Sequence, residues 1–262
     1  MTEWNAAEYD QIAGLQLAMA NEVLSSLPLS GTEQLLDVGC GEGKITAAVA
    51  ARLPSGSVVG VDASRKMIDF ASTHFAASHP NLSFAVADAR RLEFEEAFDG
   101  LISFNALHWV QEQDDVLRGL HRALKPRGTA RLRFVPAGPR TSLEDVIEAV
   151  AHASRWAHHF PGASRPYFHP EPEAYAAQAE GHGFQVESVR RSDHAWNFGT
   201  SEAFAAFARV TFVEWTRHLP ETARPEFIQD VLTAYRPVAC DRPGEEHCFK
   251  FYQMDLVFRR PE

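Results

Sequence analysis

Three alternating glycines follow an apolar run in Leu35-Leu36-Asp37-Val38-Gly39-Cys40-Gly41-Glu42-Gly43-Lys44. Glycine tolerates positive φ and lets a ligand approach the backbone closely. The helix expected to begin at Lys44 offers N–H groups that lack intrahelical partners. A dinucleotide-binding turn spaces its glycines G-x-G-x-x-G, whereas this one reads G-x-G-x-G with Asp37 just ahead of it. Further on, Gly60-Val61-Asp62 ends a second apolar run, and a carboxylate there can accept hydrogen bonds from both hydroxyls of a ribose. A third run ends in Asp88-Ala89, where the carboxylate can accept from an adenine amino group. Glycine turn, Asp62 and Asp88, taken in that order, point to an adenosine-containing ligand.

Such residues work together only if adjacent loops carry them. Short β-rich runs at 34–38, 57–61, 82–87, 98–104 and 129–135 alternate with stretches of helical apolar spacing at 44–53, 65–78 and 114–124. That alternation predicts a doubly wound α/β sheet, in which ligands bind beyond the carboxyl ends of the strands. Residues 6–27 read as an amphipathic helix ahead of the sheet. After residue 136 the rhythm changes: residues 137–262 hold 18 of the 28 aromatics and 8 of the 12 histidines. Helical stretches at 142–157, 172–182, 201–218 and 224–235 read as a cap over one end of the core. Runs at 184–194 and 247–260 suit two final strands. The expected organisation is residues 1–30 as an N-terminal helical segment, 31–136 as the ligand-binding core, and 137–262 as cap plus final strands.

The ordered series D-V-G-C-G-E-G-K, G-V-D-A-S-R-K-M-I, A-D-A, F-D-G-L-I-S-F-N-A-L-H-W-V and A-L-K-P-R-G-T resembles the class I S-adenosylmethionine-dependent methyltransferases. The resemblance covers about residues 4–135 well and the rest loosely. It implies a Rossmann-like, mostly parallel seven-stranded sheet of order 3-2-1-4-5-7-6 with a helical cap. It also implies S-adenosyl-L-methionine as cofactor. Carried over by motif, the cofactor contacts would be Tyr9, Asp37, Gly39, Cys40, Gly41, Gly43, Asp62, Ala63, Met67, Asp88, Ala89 and Asn105. A nicotinamide dehydrogenase is the rival for Asp62, disfavoured by the glycine spacing.

The N-terminal W-N-A-A-E-Y-D-x-x-x-x-L-Q and the L-H-W-V after the fourth strand resemble the trans-aconitate, juvenile-hormone-acid and malonyl-carrier-protein carboxyl methyltransferases. In that group the N-terminal segment folds over the cofactor, and a Gln and a Trp hold the acceptor carboxylate. Here those positions are Gln16 and Trp109, with His108 as a further acceptor contact or general base. A carboxylate with a pKa of about 4 is already ionised at neutral pH and needs no base. The expected reaction is therefore O-methylation of a free carboxylate by in-line displacement. The alternatives are methylation at N, C or a hydroxyl, with His108 as proton acceptor, or cofactor binding without transfer. Aromatic density in the later half suggests an acceptor with an apolar body, walled by residues such as Trp156, Phe160, Tyr167, Phe168, Trp196, Phe198, Phe207, Phe212 and Trp215. A small polyacid would instead call for cap arginines turned inward, from among Arg155, Arg165, Arg217 and Arg236.

A net charge of −10 and the lack of a dense basic patch disfavour nucleic acid. No stretch has the roughly 18 apolar residues that span a bilayer, and MTEWNAAEYD has no basic, apolar leader character. Three scattered cysteines suit neither a disulfide framework nor a zinc site, and no metal is expected. A cytoplasmic monomer or homodimer acting on a small molecule follows.

Overall fold

The structure, a computed structural model, describes residues 15, 19, 22–25 and 27–262. Its sheet has seven strands, β1 (Gln34–Val38), β2 (Ser57–Asp62), β3 (Leu82–Val86), β4 (Phe98–Phe104), β5 (Leu124–Phe134), β6 (Gln185–Asn197) and β7 (Cys248–Arg259). Their spatial order is β3-β2-β1-β4-β5-β7-β6, with β7 antiparallel to both its neighbours. The chain therefore winds outward from β1 to β3, then restarts at β4 on the other side of β1. The crevice this leaves beyond the carboxyl ends of β1 and β4 is where such sheets take ligands.

Sequence dictates the central parallel strands β1 and β4 through apolar runs buried on both faces, while the edge strands β3 and β6 are largely exposed. Leu35, Leu36, Asp37 and Val38 of β1 are all buried. Crossover helices α1 (Lys44–Ala50), α2 (Arg65–Phe75) and α3 (Gln113–Ala123) bury their apolar stripes on the sheet. The start of α2 is set by Ser64, whose hydroxyl accepts the Met67 N–H at 3.4 Å. The strand expected at 129–135 begins earlier, at Leu124. An initial Phe98–Leu124 pairing is followed by a register shift that accommodates Pro126 and Arg127, the latter at φ 67°.

The later half contributes α4 (Leu143–Ala151), α5 (Pro172–Gly181), α6 (Ser201–Thr211), α7 (Val213–Thr216) and α8 (Arg224–Ala239). Leu143 and Ile147 of α4, Phe204 and Phe207 of α6, Trp215 of α7 and Phe227, Val231 and Tyr235 of α8 form one apolar cluster with Phe249 and Phe251 of β7. One helix departs from the expected cap. α5 buries Tyr175 and Ala179 in the main core, and Tyr175 meets Phe134 of β5 edge to face at 5.1 Å. It belongs to the layer that covers the sheet, packing on β6 and β7.

Candidate active site

The turn after β1 is tied to the end of β2. The N–H groups of Gly39 and Cys40 both donate to Val61 O, at 2.7 and 3.0 Å. The Gly41 N–H donates to Asp62 Oδ2 at 3.0 Å, and the Ser64 N–H to Asp62 Oδ1 at 2.9 Å. Asp62 thus braces the loop while bordering the cleft itself. Gly39 has φ 78°, and a Cβ there would overlap the Ala106 Cβ that faces it from the loop after β4. Gly41 has φ 54°, and a Cβ there would meet nothing within 4 Å, because it would project into the cleft. The first glycine lets two strand-end loops touch, and the second leaves bare backbone for a ligand.

Asp37 lies under this loop, 2% exposed, and accepts the Thr46 hydroxyl at 2.7 Å. Burial raises its pKa to about 7; the Thr46 hydrogen bond opposes the rise, while Asp62 and Glu42 add to it. The Cys40 thiol is also pushed up by burial and by the same carboxylates, so it is held as an inert thiol. At the end of β3 the Arg90 guanidinium grips the Asp88 carboxylate: Nε donates to both oxygens at 3.0 Å and Nη2 to Oδ2 at 2.6 Å. These bonds hold the Asp88 carboxyl below the usual carboxylate range.

All of these loops open on one cleft of about 590 Å³, a size suited to a cofactor-scale ligand. Asn105, Ala106 and Trp109 form the wall beyond β4. Facing them are Ser164, Arg165 and Pro166 from the loop after α4, and Glu214 and Arg217 from around α7. Arg217 pairs with Glu214 at 3.0 Å and Arg165 with Asp145 at 2.9 Å. The floor is acidic and backbone-rich, and the facing wall carries two guanidinium groups. The bare Gly41 backbone and the side chains of Asp62 and Asp88 lie together on this floor.

Residues 35–128 match the methyltransferase domain family. The trans-aconitate 2-methyltransferase of Methylobacterium radiotolerans is 32% identical over 157 residues, which are 60% of this chain and 58% of that protein. That of Escherichia coli is 28% identical over 267 residues, covering 100% of both. The chain is an S-adenosylmethionine-dependent methyltransferase. The fold agrees: Haemonchus contortus phosphoethanolamine N-methyltransferase 2, solved with S-adenosyl-L-methionine, superposes with a TM-score of 0.62 at 18% identity, over 98% of this chain and 57% of that one.

Against this methyltransferase cleft the sequence-derived residues divide cleanly. Asp37, Gly39, Cys40, Gly41, Asp62, Ala63, Met67, Asp88, Ala89, Asn105 and Trp109 all border it. Gly43 does not, and it supports the loop from behind, where a Cβ would meet Ala71 and Phe84 at 2.7 Å. Tyr9 and Gln16 lie outside the described residues. His108 does not border the cleft. It is 4% exposed with its ring 6.1 Å from that of His169, and burial holds its pKa well below the ordinary value. Leu107–Trp109 is a single 3-10 turn, whose successive side chains point about 120° apart, so Trp109 can border the cleft while His108 is buried.

The aromatic walls expected of an acceptor pocket are also elsewhere. None of the nine borders the cleft. Trp156, Phe160, Tyr167, Phe207, Phe212 and Trp215 are buried in the apolar cluster of the later half, which Trp196 and Phe198 join from its edge. Phe168 lies against the main core. Large aromatics stabilise by packing on one another, and this cluster uses them so. Of the four arginines considered, Arg165 and Arg217 reach the cleft, while Arg155 is held outside by Glu226 and Asp230. Motif reading gave no sign of Arg90, Gln111 or Glu112, which also line it. Among the described residues no cluster of three or more His, Cys, Asp or Glu could hold a metal ion. Nor is any described helix long and apolar enough to cross a membrane.

Proposed function

We propose that this enzyme esterifies one carboxylate of a small polycarboxylic acid. The carrying observation is that Arg165 and Arg217 border the same cleft as the glycine loop and Trp109, where the expected aromatics do not. A guanidinium matches a carboxylate in charge and planar geometry, so two of them suit carboxylates that are bound but not methylated. The full-length similarity to the E. coli trans-aconitate 2-methyltransferase supports an acceptor of that kind.

S-adenosylmethionine supplies the methyl group as a sulfonium when bound. The Gly39–Gly43 loop and Asp62 would hold it, and the acceptor would lie between Trp109 and the arginines. A carboxylate oxygen forms the new C–O bond as the C–S bond breaks, with S-adenosylhomocysteine as leaving group and no proton to remove. The burial of His108 away from the cleft fits this chemistry, and it takes from N-, C- and hydroxyl-methylation the base expected to serve them. What the protein contributes is orientation and exclusion of water.

Methyl transfer to trans-aconitate, citrate and long-chain fatty acids should favour the tricarboxylates. Arg217→Ala and Arg165→Ala should each raise KM for the tricarboxylate about tenfold or more, the cost of losing a charged hydrogen-bonding partner. Affinity for S-adenosylhomocysteine should stay unchanged. Equal activity of both variants on tricarboxylates would remove the arginines from acceptor binding. Preference for the fatty acids would restore the apolar acceptor.

A further inference from the structure

Gln253 sits in the middle of β7, 1% exposed, between the buried Met254 and Phe251 side of the strand and the loop after β4. Its Nε2–H donates to Asn105 Oδ1 at 3.0 Å, and its Oε1 has no hydrogen-bond partner among the described residues. Burying a half-satisfied amide costs stability that a leucine of similar volume would not. Packing therefore does not account for a glutamine here; its single side-chain bond does.

That bond ends on the residue linking the two halves of the cleft. Asn105 follows β4 at φ 55°, held there by its N–H to Arg133 O at 2.7 Å. It borders the cleft, and its neighbour Ala106 abuts Gly39. An asparagine amide presents a carbonyl acceptor on one side and an NH2 donor on the other. With Oδ1 committed to Gln253, the NH2 side is the one left to the cleft. An anionic acceptor is attracted by a donor there and repelled by a carbonyl.

We infer that Gln253 is a positioning residue that fixes the amide of Asn105 with its NH2 toward the acceptor carboxylate, adding a neutral donor beside Trp109. The inference rests on the carboxylate reading above and extends it to a strand about 150 residues from the motif it serves, the separation being 148. A neutral donor orients a carboxylate without the full charge neutralisation that a guanidinium would impose on the attacking oxygen.

Three variants test it, with a tricarboxylate as acceptor and S-adenosylhomocysteine titrated calorimetrically. Gln253→Leu should keep or raise the melting temperature, leave S-adenosylhomocysteine affinity within about twofold, and lower kcat/KM about tenfold, as for one lost oriented hydrogen bond. Gln253→Glu, once ionised at alkaline pH, offers only acceptors, so Asn105 must turn its NH2 inward and its carbonyl to the cleft; there its loss should exceed that of Gln253→Leu, whereas at lower pH burial keeps the carboxyl protonated and able to donate to Asn105. In an Asn105→Gly background, where glycine accepts the positive φ without strain, Gln253→Leu should cost nothing further, since the pair acts through one contact. Wild-type activity in Gln253→Leu overturns the inference alone, as does Gln253→Glu outperforming it at alkaline pH or an undiminished loss in the Asn105→Gly background. A wild-type enzyme that methylates no carboxylic acid overturns the carboxylate reading and takes this inference with it.

Discussion

Burying Asp37 beside Asp62 and Glu42 makes the cleft without cofactor sensitive to pH. Its carboxyl holds a proton to about pH 7 in the folded state, against about 3.9 in an unfolded chain. Between those values the folded state binds the proton more tightly, so the stability this group contributes is fully present below about pH 4. It is lost as pH rises through about 7. Asp37→Asn should remove that dependence while still accepting the Thr46 hydroxyl. Urea unfolding without cofactor at pH 5 and pH 8 should show the variant losing less stability than wild type over the interval, by on the order of 2–4 kcal/mol. Identical slopes would mean the carboxyl is ionised throughout. Residues of this kind were legible one at a time: Asp37, Asp62 and the glycines stand in a fixed local spacing that encodes their geometry. Arg90 and Gln253 were not, because their roles depend on partners brought close only by the fold.

Element by element, the parallel half was readable because each strand is an apolar run closed by a glycine or an aspartate. β1 and β4 fall at the expected residues, and the remaining sheet boundaries shift mainly where an irregularity intervenes, as at Pro126. The loop facing Trp109 was not readable, since long-range hydrogen bonds place it. Gln111 Nε2 donates to Arg165 O at 2.9 Å and to Tyr167 O at 2.7 Å, and the Phe168 N–H donates to His108 O at 2.7 Å. These bonds tie the Arg165 loop to the turn that carries Trp109, so the two sides of the proposed acceptor region are held as one unit. Gln111→Leu keeps the volume and removes both side-chain bonds. It should raise acceptor KM about threefold to tenfold, with little change in cofactor affinity, as expected for loosened positioning rather than a lost ligand contact. An unchanged KM in steady-state assays would show the loop held by its remaining contacts, such as Tyr167 OH to Asp145 at 2.7 Å.

At the scale of the molecule, three apolar clusters border one polar cleft: a small one in which Val23 and Leu27 pack with α1 against β1 and β2, and two larger ones. The main core packs against β1, β4, β5 and β7, and the later cluster packs around α4, α6 and α8 with the first residues of β7. Aromatic density announced the later cluster but not its purpose, because a phenylalanine that packs and one that lines a pocket look alike in sequence. The cleft they border is the place where a ligand can stabilise the whole chain. A ligand that binds only the folded state at one hundred times its Kd adds about 2.7 kcal/mol, which for a chain of this size corresponds to about 5 °C in melting temperature. S-adenosylhomocysteine at that excess should produce such a shift in the wild-type protein. Gly39→Ala should abolish it, since its Cβ would press on Ala106 and part the two loops that form the cradle. The variant itself should melt lower even without ligand, because φ 78° strains an alanine. Differential scanning fluorimetry over a ligand series separates the two effects: strain lowers the baseline, and loss of the cradle flattens the dependence on ligand. A Gly39→Ala protein with a lowered baseline but an undiminished ligand shift would place the cofactor away from this loop, and the chemistry assigned to the cleft would have to move with it.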